Sequence, residues 1–262
     1  MADQSSSSDN SCVVFLSDKA YFNKFLNTCN QLIVNGKYKG DICLVIGDDL
    51  NEHIHQLSNH PFITQNKITI KYFPNIKFPE SFLKIAYEMN RPEHWFKKIF
   101  QYHKLHLFNS FFKQWKYIFY LDSGITILND IQPILNEKTD NTLLAHSDAF
   151  PLYEWRLHNQ FCKNNSDYFN TLNKKFNLNI DYFQTTIMLY DTSIIEDNTF
   201  DNLYKLTLEF PISITNDQGI IALYFSNIKP LWKQIKTRNE NIYFYDYMKR
   251  QPSNNYIMLK SV

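Results

Sequence analysis

Glycine is scarce in this chain, with only five residues among 262. Neither the GxxxxGK[ST] phosphate loop nor the GxGxxG fingerprint occurs, which argues against an ordinary nucleoside triphosphatase or a dinucleotide-dependent oxidoreductase. The GxSxG nucleophile elbow is also missing, which argues against a serine hydrolase. Any nucleotide site in this protein must therefore be built without a glycine-rich loop.

Cysteine is also sparse, and neither a zinc site nor a disulfide framework is indicated. The four cysteines show neither a CxxC pair nor zinc-ligand spacing: Cys12, Cys29, Cys43 and Cys162. A chain of this length does not need disulfides to stabilise its core. We expect four free, buried thiols in a protein from a reducing compartment, the cytoplasm.

Neither positive nor negative charge is in clear excess: the sequence has 27 Lys and Arg and 26 Asp and Glu, which gives a formal net charge of +1. This balance gives no overall electrostatic footprint for nucleic acid, so no nucleic-acid partner is expected. No stretch approaches the roughly 20 apolar residues of a membrane span, which predicts a soluble protein. Residues 1–11 have no basic segment or apolar run, and we expect a disordered leader followed by a single domain over 12–262.

Histidine and lysine clusters carry little functional signal. No HExxH motif surrounds either of the closely spaced histidine pairs, His53/His55 and His103/His106. These histidines are interpreted as surface or helix-face residues rather than zinc ligands. Two basic pairs are interpreted first as solvated charges, with contact to a diphosphate as the less favoured alternative: Lys97/Lys98 and Lys249/Arg250.

Aromatic residues are abundant, with 22 Phe and 17 Tyr, and supply material for a large core. Short apolar runs predict buried strands at 12–16, 41–46, 67–73, 117–121, 142–145 and 182–190. Helical spacing of apolar residues predicts helices at 18–33, 50–58, 93–112, 203–210 and from residue 217. This alternation predicts an α/β fold with a mainly parallel central sheet flanked by helices, and the weakly periodic segment 151–179 is interpreted as an insertion.

The apolar run 117–121 ends abruptly in Asp122, Ser123 and Gly124, and a second apolar run follows at once. Ligands in open α/β sheets lie beyond the carboxyl ends of the strands, which makes Asp122 a candidate site residue. The same three residues also suit a simple turn, and the segment alone leaves both interpretations open.

Other polar residues follow predicted strand ends or open a predicted helix. They are Asp18, Asp48, Asp148, Gln184 and the pair Asp217-Gln218. Each one alone is better explained as a cap or turn residue. Strand ends on one edge of a sheet converge in space, so together these side chains predict one shared ligand site.

Several motifs, in their order and spacing, resemble the glycogenin-like, family 8-type retaining glycosyltransferases with the GT-A fold. The motifs are Lys104-Leu105-His106, the segment 117–135, Ala145-His146-Ser147-Asp148, FQTTIML at 183–189 and NDQGII at 216–221. The likeness spans about residues 12–226. The resemblance implies a Rossmann-like sheet and transfer of a sugar from a UDP-sugar donor to a hydroxyl of a glycan or protein acceptor, with retention. Relatives are often dimers, so it also implies a homodimer.

The resemblance also implies roles for individual residues. Leu16, Asp18 and Tyr21 would hold the nucleotide, and Lys104 would orient the nucleotide-sugar. Asp122-Ser123-Gly124 matches the Asp-x-Asp motif, whose acids bind ribose and a Mn²⁺ or Mg²⁺ ion. The donor sugar would lie near Asp148 and contact three candidate catalytic residues, Gln184, Asp217 and Gln218.

One position departs from the family pattern, because Gly124 replaces the second acid of the motif and has no side-chain oxygen. The late histidine ligand also lacks a counterpart, which leaves Asp122 as the single candidate metal ligand. A cation such as Lys260 is the alternative counter-charge for the leaving diphosphate. Two further interpretations therefore stand: a metal-independent transferase, and a pseudo-enzyme that binds nucleotide-sugar or glycan without turnover.

Overall fold

The computed structural model describes residues 10–89, 98–248 and 255–260. Three parts of the sequence predictions lie outside the described residues: residues 1–9 of the leader, residues 93–97 of the helix 93–112, which include Lys97, and the basic pair Lys249/Arg250. Ser11, assigned to the leader from sequence, is the first residue of a strand.

The described strands are β1 (Ser11–Ser17), β2 (Asp41–Ile46), β3 (Thr69–Tyr72), β4 (Tyr117–Asp122), β5 (Thr126–Ile127), β6 (Leu143–Ser147), β7 (Phe183–Asp191), β8 (Trp232–Gln234), β9 (Arg238–Asn239), β10 (Ile242–Tyr247) and β11 (Tyr256–Lys260). Seven of the described strands form the main sheet, in the order β3-β2-β1-β4-β7-β6-β8. The neighbours from β3 to β4 are parallel, as are β6 and β8, whereas β7 runs antiparallel to β4 and β6. The predicted mainly parallel sheet is confirmed.

The described α-helices are α1 (Phe22–Val34), α2 (Asp48–Asn51), α3 (Ile54–Ser58), α4 (Pro61–Gln65), α5 (Glu80–Met89), α6 (Gln132–Leu135), α7 (Ser166–Lys175), α8 (Thr199–Glu209) and α9 (Asp217–Leu223). Side chains alternate across β1, so Val13 and Phe15 face one core cluster and Val14 and Leu16 the other. Helices therefore cover both faces of the sheet. Within the described residues, no helix is both long and apolar enough to cross a membrane.

A small second sheet, in the order β5-β11-β10-β9, stands beside the end of β4. Strand β5 follows the Asp122–Gly124 turn after a single residue and pairs antiparallel with β11, with Leu259 opposite Thr126. This register carries Lys260, the last residue of β11, back to the end of β4.

The region predicted as a helix over 93–112 is different in its described part. It forms two 3₁₀ helices, Phe100–Phe108 and Ser110–Gln114, and every residue from Tyr102 to Phe108 is buried. A segment buried on all sides shows no contrast between a polar and an apolar face. The spacing of its apolar side chains therefore cannot distinguish a 3₁₀ helix from an α-helix.

Two expectations about burial were wrong. The segment 151–179 is not a simple insertion, because it contains a 3₁₀ helix and α7, and Leu157 and Leu172 join the main core. Cys162 is only half-buried, whereas the other three thiols are buried as expected. Polar composition suggested a peripheral segment, but a few well-spaced leucines suffice to attach it to the core.

His103 and His106 lie on a helix, one of the two predicted alternatives, but they are buried and are not surface residues. Each ring contacts a backbone carbonyl through Nε2 at 3.2 Å, Ile46 O for His103 and Pro74 O for His106. The His106 ring stacks against Phe73 and Phe200, with both ring centroids 4.6 Å away. The two histidines therefore fasten the 3₁₀ helix Phe100–Phe108, which carries Lys104, to its surroundings.

Acid should weaken this attachment. Burial lowers the pKa of His103 to about 4, and burial together with the nearby His103 lowers the pKa of His106 to about 3. Histidine in the unfolded chain titrates at about pH 6.5, so the unfolded chain binds more protons than the folded protein as the pH falls below that value. We expect the free energy of unfolding to decrease between about pH 6.5 and pH 4, by up to about 1.4 kcal/mol per pH unit for each histidine.

Denaturant unfolding at a series of pH values measures this slope. His106→Phe preserves an aromatic stack and should reduce the slope, whereas the same change at exposed His55 should leave it unchanged. Equal slopes in wild type and His106→Phe would contradict the assignment.

Candidate functional site

A cleft of about 290 Å³ opens beyond the carboxyl ends of β1 and β4. Its lining residues are Leu16, Ser17, Asp18, Tyr21, Lys98, Phe100, Gln101, Lys104, Tyr120, Asp122, Ser123 and Lys260. Strands β1 and β4 are parallel neighbours, with Leu16 opposite Asp122. The cleft therefore lies where ligands bind in open α/β sheets.

Asp122 lies on the floor of this cleft with both carboxylate oxygens engaged. The Tyr120 hydroxyl donates a 2.6 Å hydrogen bond to Oδ1, and Lys104 Nζ is 3.1 Å from the same atom. Lys260 Nζ lies 2.5 Å from Oδ2. Burial alone would raise the pKa of Asp122, but the two ammonium groups and the hydrogen bonds from Lys260 and Tyr120 hold that pKa well below its usual range.

Lys104 joins Asp122 to a second carboxylate. Its Nζ is 3.3 Å from Asp217 Oδ2 and 3.2 Å from Thr185 Oγ1, and the Thr185 hydroxyl donates to Asp217 Oδ2 at 2.7 Å. Burial disfavours the charged lysine, but Asp122 and Asp217 outweigh it and raise the pKa of Lys104. Burial raises the pKa of Asp217. Lys104 is therefore a charged, buried link between the end of β4 and the start of α9.

The start of α9 is held in a strained conformation. Asn216, buried and immediately before the helix, has φ 54° and ψ −115°, a region that residues other than glycine rarely adopt. Its amide donates to Gln101 Oε1 at 2.6 Å, and the Ser213 hydroxyl donates to its carbonyl at 2.7 Å. A Cβ at Gly219 would lie 2.5 Å from Ser213 Oγ. These contacts fix the backbone on both sides of Asp217 and place its carboxylate beside Lys104.

Asp148 is the centre of a second polar network. It accepts hydrogen bonds from the Tyr182 hydroxyl at 2.7 Å, Gln184 Nε2 at 2.9 Å and Gln218 Nε2 at 3.4 Å. Gln218 also donates to Gln160 Oε1 at 2.9 Å, and its Oε1 accepts from the Thr185 backbone N–H at 3.3 Å. Through Thr185 this network is continuous with the one around Lys104.

The sequence-predicted residues fall into two layers. The cleft is lined by all of the predicted nucleotide-binding residues except Gly124 and Asp148: Leu16, Asp18, Tyr21, Lys104, Asp122, Ser123 and Lys260. The other layer consists of Asp148, Gln184, Asp217 and Gln218, which lie outside the cleft lining and bind one another or Lys104.

Gly124 does not contribute to the cleft lining. Its φ is +111°, in the left-handed half of the Ramachandran plot, and its N–H donates to Thr28 Oγ1 at 3.0 Å. Glycine suits this turn because it adopts positive φ without steric cost. An acid here would be strained, although the position of a Cβ is only in ordinary contact, 3.6 Å from Lys24 Cδ.

Sequence reasoning missed Tyr120, Phe100, Gln101 and Gln160. Tyr120 had a local signal, because residues two apart on a strand share a face and Tyr120 therefore lies on the same face as Asp122. The remaining three come from segments distant in sequence, and no local pattern marked them.

Comparison with solved structures shows the same architecture in several sugar-transferring enzymes. The galactosyltransferase LgtC, in complex with donor and acceptor sugar analogues, is 12% identical, with 95% of this chain and 86% of that chain covered at a TM-score of 0.58. Mouse xyloside xylosyltransferase 1, apo form, is 9% identical, with 96% of each chain covered at a TM-score of 0.52. The chain has the GT-A fold.

A third GT-A neighbour is core-mannan synthase A from Aspergillus fumigatus, in its Mn/GDP form. It is 10% identical, with 86% of this chain and 72% of that chain covered at a TM-score of 0.50. No protein-family model and no curated protein matches the sequence. At these identities the neighbours establish the fold, and the activity must be argued from the site.

The Thr185 hydroxyl provides a test of the network beneath the GT-A cleft. Thr185→Val removes the donor to Asp217 while keeping the side-chain shape, and we expect a loss of about 1–3 kcal/mol in the free energy of unfolding. Thr185→Ser retains the hydroxyl and serves as the matched control, with a smaller loss from the missing methyl group. Denaturant midpoints measure both, and a valine variant as stable as the serine variant would contradict the network.

Proposed function

We propose that this protein transfers a sugar from a UDP-sugar donor to a hydroxyl group of a glycan or protein acceptor, with retention at the anomeric carbon. The observation that carries the proposal is the floor of the cleft. There, at the carboxyl ends of β1 and β4 of a GT-A sheet, the Lys104 ammonium is held between Asp122 and Asp217.

The chemistry of glycosyl transfer explains why such a floor is useful. Breaking the bond from sugar to phosphate leaves negative charge on the diphosphate and positive character at the anomeric carbon. Lys260 presents its ammonium group at the cleft, where it would bind the diphosphate. Lys104, whose three N–H donors contact Asp122, Asp217 and Thr185, would contribute its positive charge. Gln184, Asp217 and Gln218 are the proposed partners of the electron-poor carbon, through their carboxylate and amide oxygens. They lie outside the cleft lining, where Gln184 and Gln218 bind Asp148 and Asp217 binds Lys104.

The nucleotide would occupy the outer part of the cleft, beside the end of β1. Asp18 Oδ1 accepts the Tyr21 backbone N–H at 2.8 Å, which orders the loop after β1. Burial raises the pKa of Asp18, so a ligand hydroxyl that donates to this carboxylate would relieve part of its desolvation. A donor-analogue complex in LgtC and the Mn/GDP form of core-mannan synthase A support a nucleotide-sugar ligand for this fold.

Calorimetric titration tests the donor class. UDP should bind more tightly than GDP, and a UDP-sugar should release UDP in the presence of an acceptor glycan. Absence of binding by UDP, GDP and their sugars at millimolar concentration, with and without Mn²⁺, would overturn the proposal.

Asp122→Asn tests the site itself. The asparagine keeps the shape of the side chain but removes its charge, and we expect UDP release to fall about a hundredfold, the order found when one preorganised electrostatic group is lost. Asp140→Asn is the matched control, because Asp140 pairs with Lys116 at 3.0 Å and does not line the cleft. Unchanged turnover in Asp122→Asn would remove Asp122 from the site.

A second candidate function is nucleotide-sugar or glycan binding without turnover. The observation in its favour is Gly124, which stands where the resembling family has its second motif acid. Tight UDP-sugar binding with no UDP release over a panel of acceptors would favour this candidate over the transferase.

A further inference from the structure

The resemblance to the family 8-type glycosyltransferases implies a divalent cation beside the diphosphate, and one GT-A neighbour is described in a Mn/GDP form. Mn²⁺ and Mg²⁺ prefer several oxygen ligands, carboxylates above all. In the part of the chain that the structure describes, no group of three or more His, Cys, Asp and Glu side chains is arranged to hold a metal ion. At the motif turn itself, Gly124 offers no side-chain oxygen, and Ser123 Oγ donates to Leu16 O at 2.8 Å.

The remaining candidate ligand, Asp122, is already matched with cations. Lys104 Nζ lies 3.1 Å from Oδ1 and Lys260 Nζ 2.5 Å from Oδ2, so one ammonium group contacts each carboxylate oxygen. A divalent ion placed on either oxygen would stand close to both ammonium groups and be repelled by them. The residues present therefore do not fit a divalent metal.

The position of Lys260 follows from the fold rather than from a flexible side chain alone. Strand β11 is held on both sides, by β5 through the Met258–Ile127 and Leu259–Thr126 pairs and by β10 through the Lys260–Tyr247 pair. Because β5 begins four residues after Asp122, this register brings residue 260 to the motif turn. The Lys260 side chain is 26% exposed and lines the cleft, whereas that of Lys104 is 10% exposed.

The charges of the cleft suit a diphosphate. Among the described residues that line it are three lysines, Lys98, Lys104 and Lys260, against two aspartates, Asp18 and Asp122. An ammonium group has three N–H donors, so Lys260 can retain Asp122 as a partner while directing other donors into the cleft. Asp122 then serves to orient the lysine.

We infer that Lys260, with Lys104, takes the place of the divalent cation, so that this protein binds and uses a nucleoside diphosphate sugar without a metal ion. The inference rests on the function proposed above. During transfer the bond between the anomeric carbon and the diphosphate oxygen breaks, and its electron pair remains on the diphosphate beside the two ammonium groups. The acceptor oxygen bonds to the anomeric carbon, and its proton passes to the departing diphosphate.

The experiment is calorimetric titration of the full chain with UDP in a chelator, and again with excess Mn²⁺ or Mg²⁺. We expect the same dissociation constant in all three conditions, and UDP release from UDP-sugar that persists in the chelator. Binding or turnover that appears only with a divalent ion would overturn the inference while leaving the proposed function intact. No UDP binding in any condition would instead remove the proposed function, so the two failures are distinguishable.

Variants assign the effect to Lys260. Lys260→Met keeps the aliphatic stem but removes the charge, and UDP affinity in the chelator should fall about tenfold or more, as expected when one charge-assisted contact is lost. Lys260→Arg restores the charge and should recover most of the affinity. Lys175→Ala, which removes the partner of Glu209 in a 2.6 Å ion pair outside the cleft lining, should bind UDP like wild type.

Thermal unfolding establishes that each variant is folded before it is titrated. If Lys260→Met unfolds, Lys260→Gln replaces it, with the same expected loss of affinity. A folded, uncharged variant at position 260 that binds UDP in the chelator as tightly as wild type would overturn the role of Lys260.

Discussion

The ion cluster around Lys104 is the constraint on which the site depends. Lys104 and Asp217 are buried, and Asp122 and Lys260 are partly exposed. Its four members are Lys104, Lys260, Asp122 and Asp217, and their formal charges cancel. They come from a 3₁₀ helix, the last strand of the small sheet, the end of β4 and the start of α9. Losing one partner of a buried ion pair leaves an uncompensated charge, which is far more costly than replacing the pair as a whole. The cluster thus ties four distant segments to one geometry.

That cluster also determines which groups of the cleft can balance the negative charge of a phosphate. Many nucleotide sites use backbone N–H groups of a glycine-rich loop or a bound cation to balance phosphates. This chain has five glycines in all, and the one at the motif turn, Gly124, adopts a positive φ and donates its N–H to Thr28. Lysine ammonium groups on the cleft floor, already oriented by Asp122, are what the described structure offers in their place.

Much of the fold was predictable because buried strands are short apolar runs with sharp ends. Strand β2 matches its prediction at both ends, and β4 extends the predicted run by one residue, to Asp122. Polar residues that follow those ends were the candidate site residues: Asp18 and Asp122 line the cleft, whereas Asp148 lies outside its lining. The 3₁₀ helix that carries buried His103 and His106 could not be predicted from the sequence, because a segment enclosed on all sides lacks the periodic contrast between polar and apolar faces.

The amino-acid sequence by itself determined the alternation of strands and helices, the position of Asp122 at a strand end and the absence of a second motif acid at Gly124. These are local properties, set by apolar periodicity and by the chemistry of single residues. Only the tertiary structure decided that Lys260, 138 residues after Asp122, contacts its carboxylate, and that Lys104 links Asp122 to Asp217. Such contacts depend on strand register and helix packing, which bring together residues that no local pattern relates.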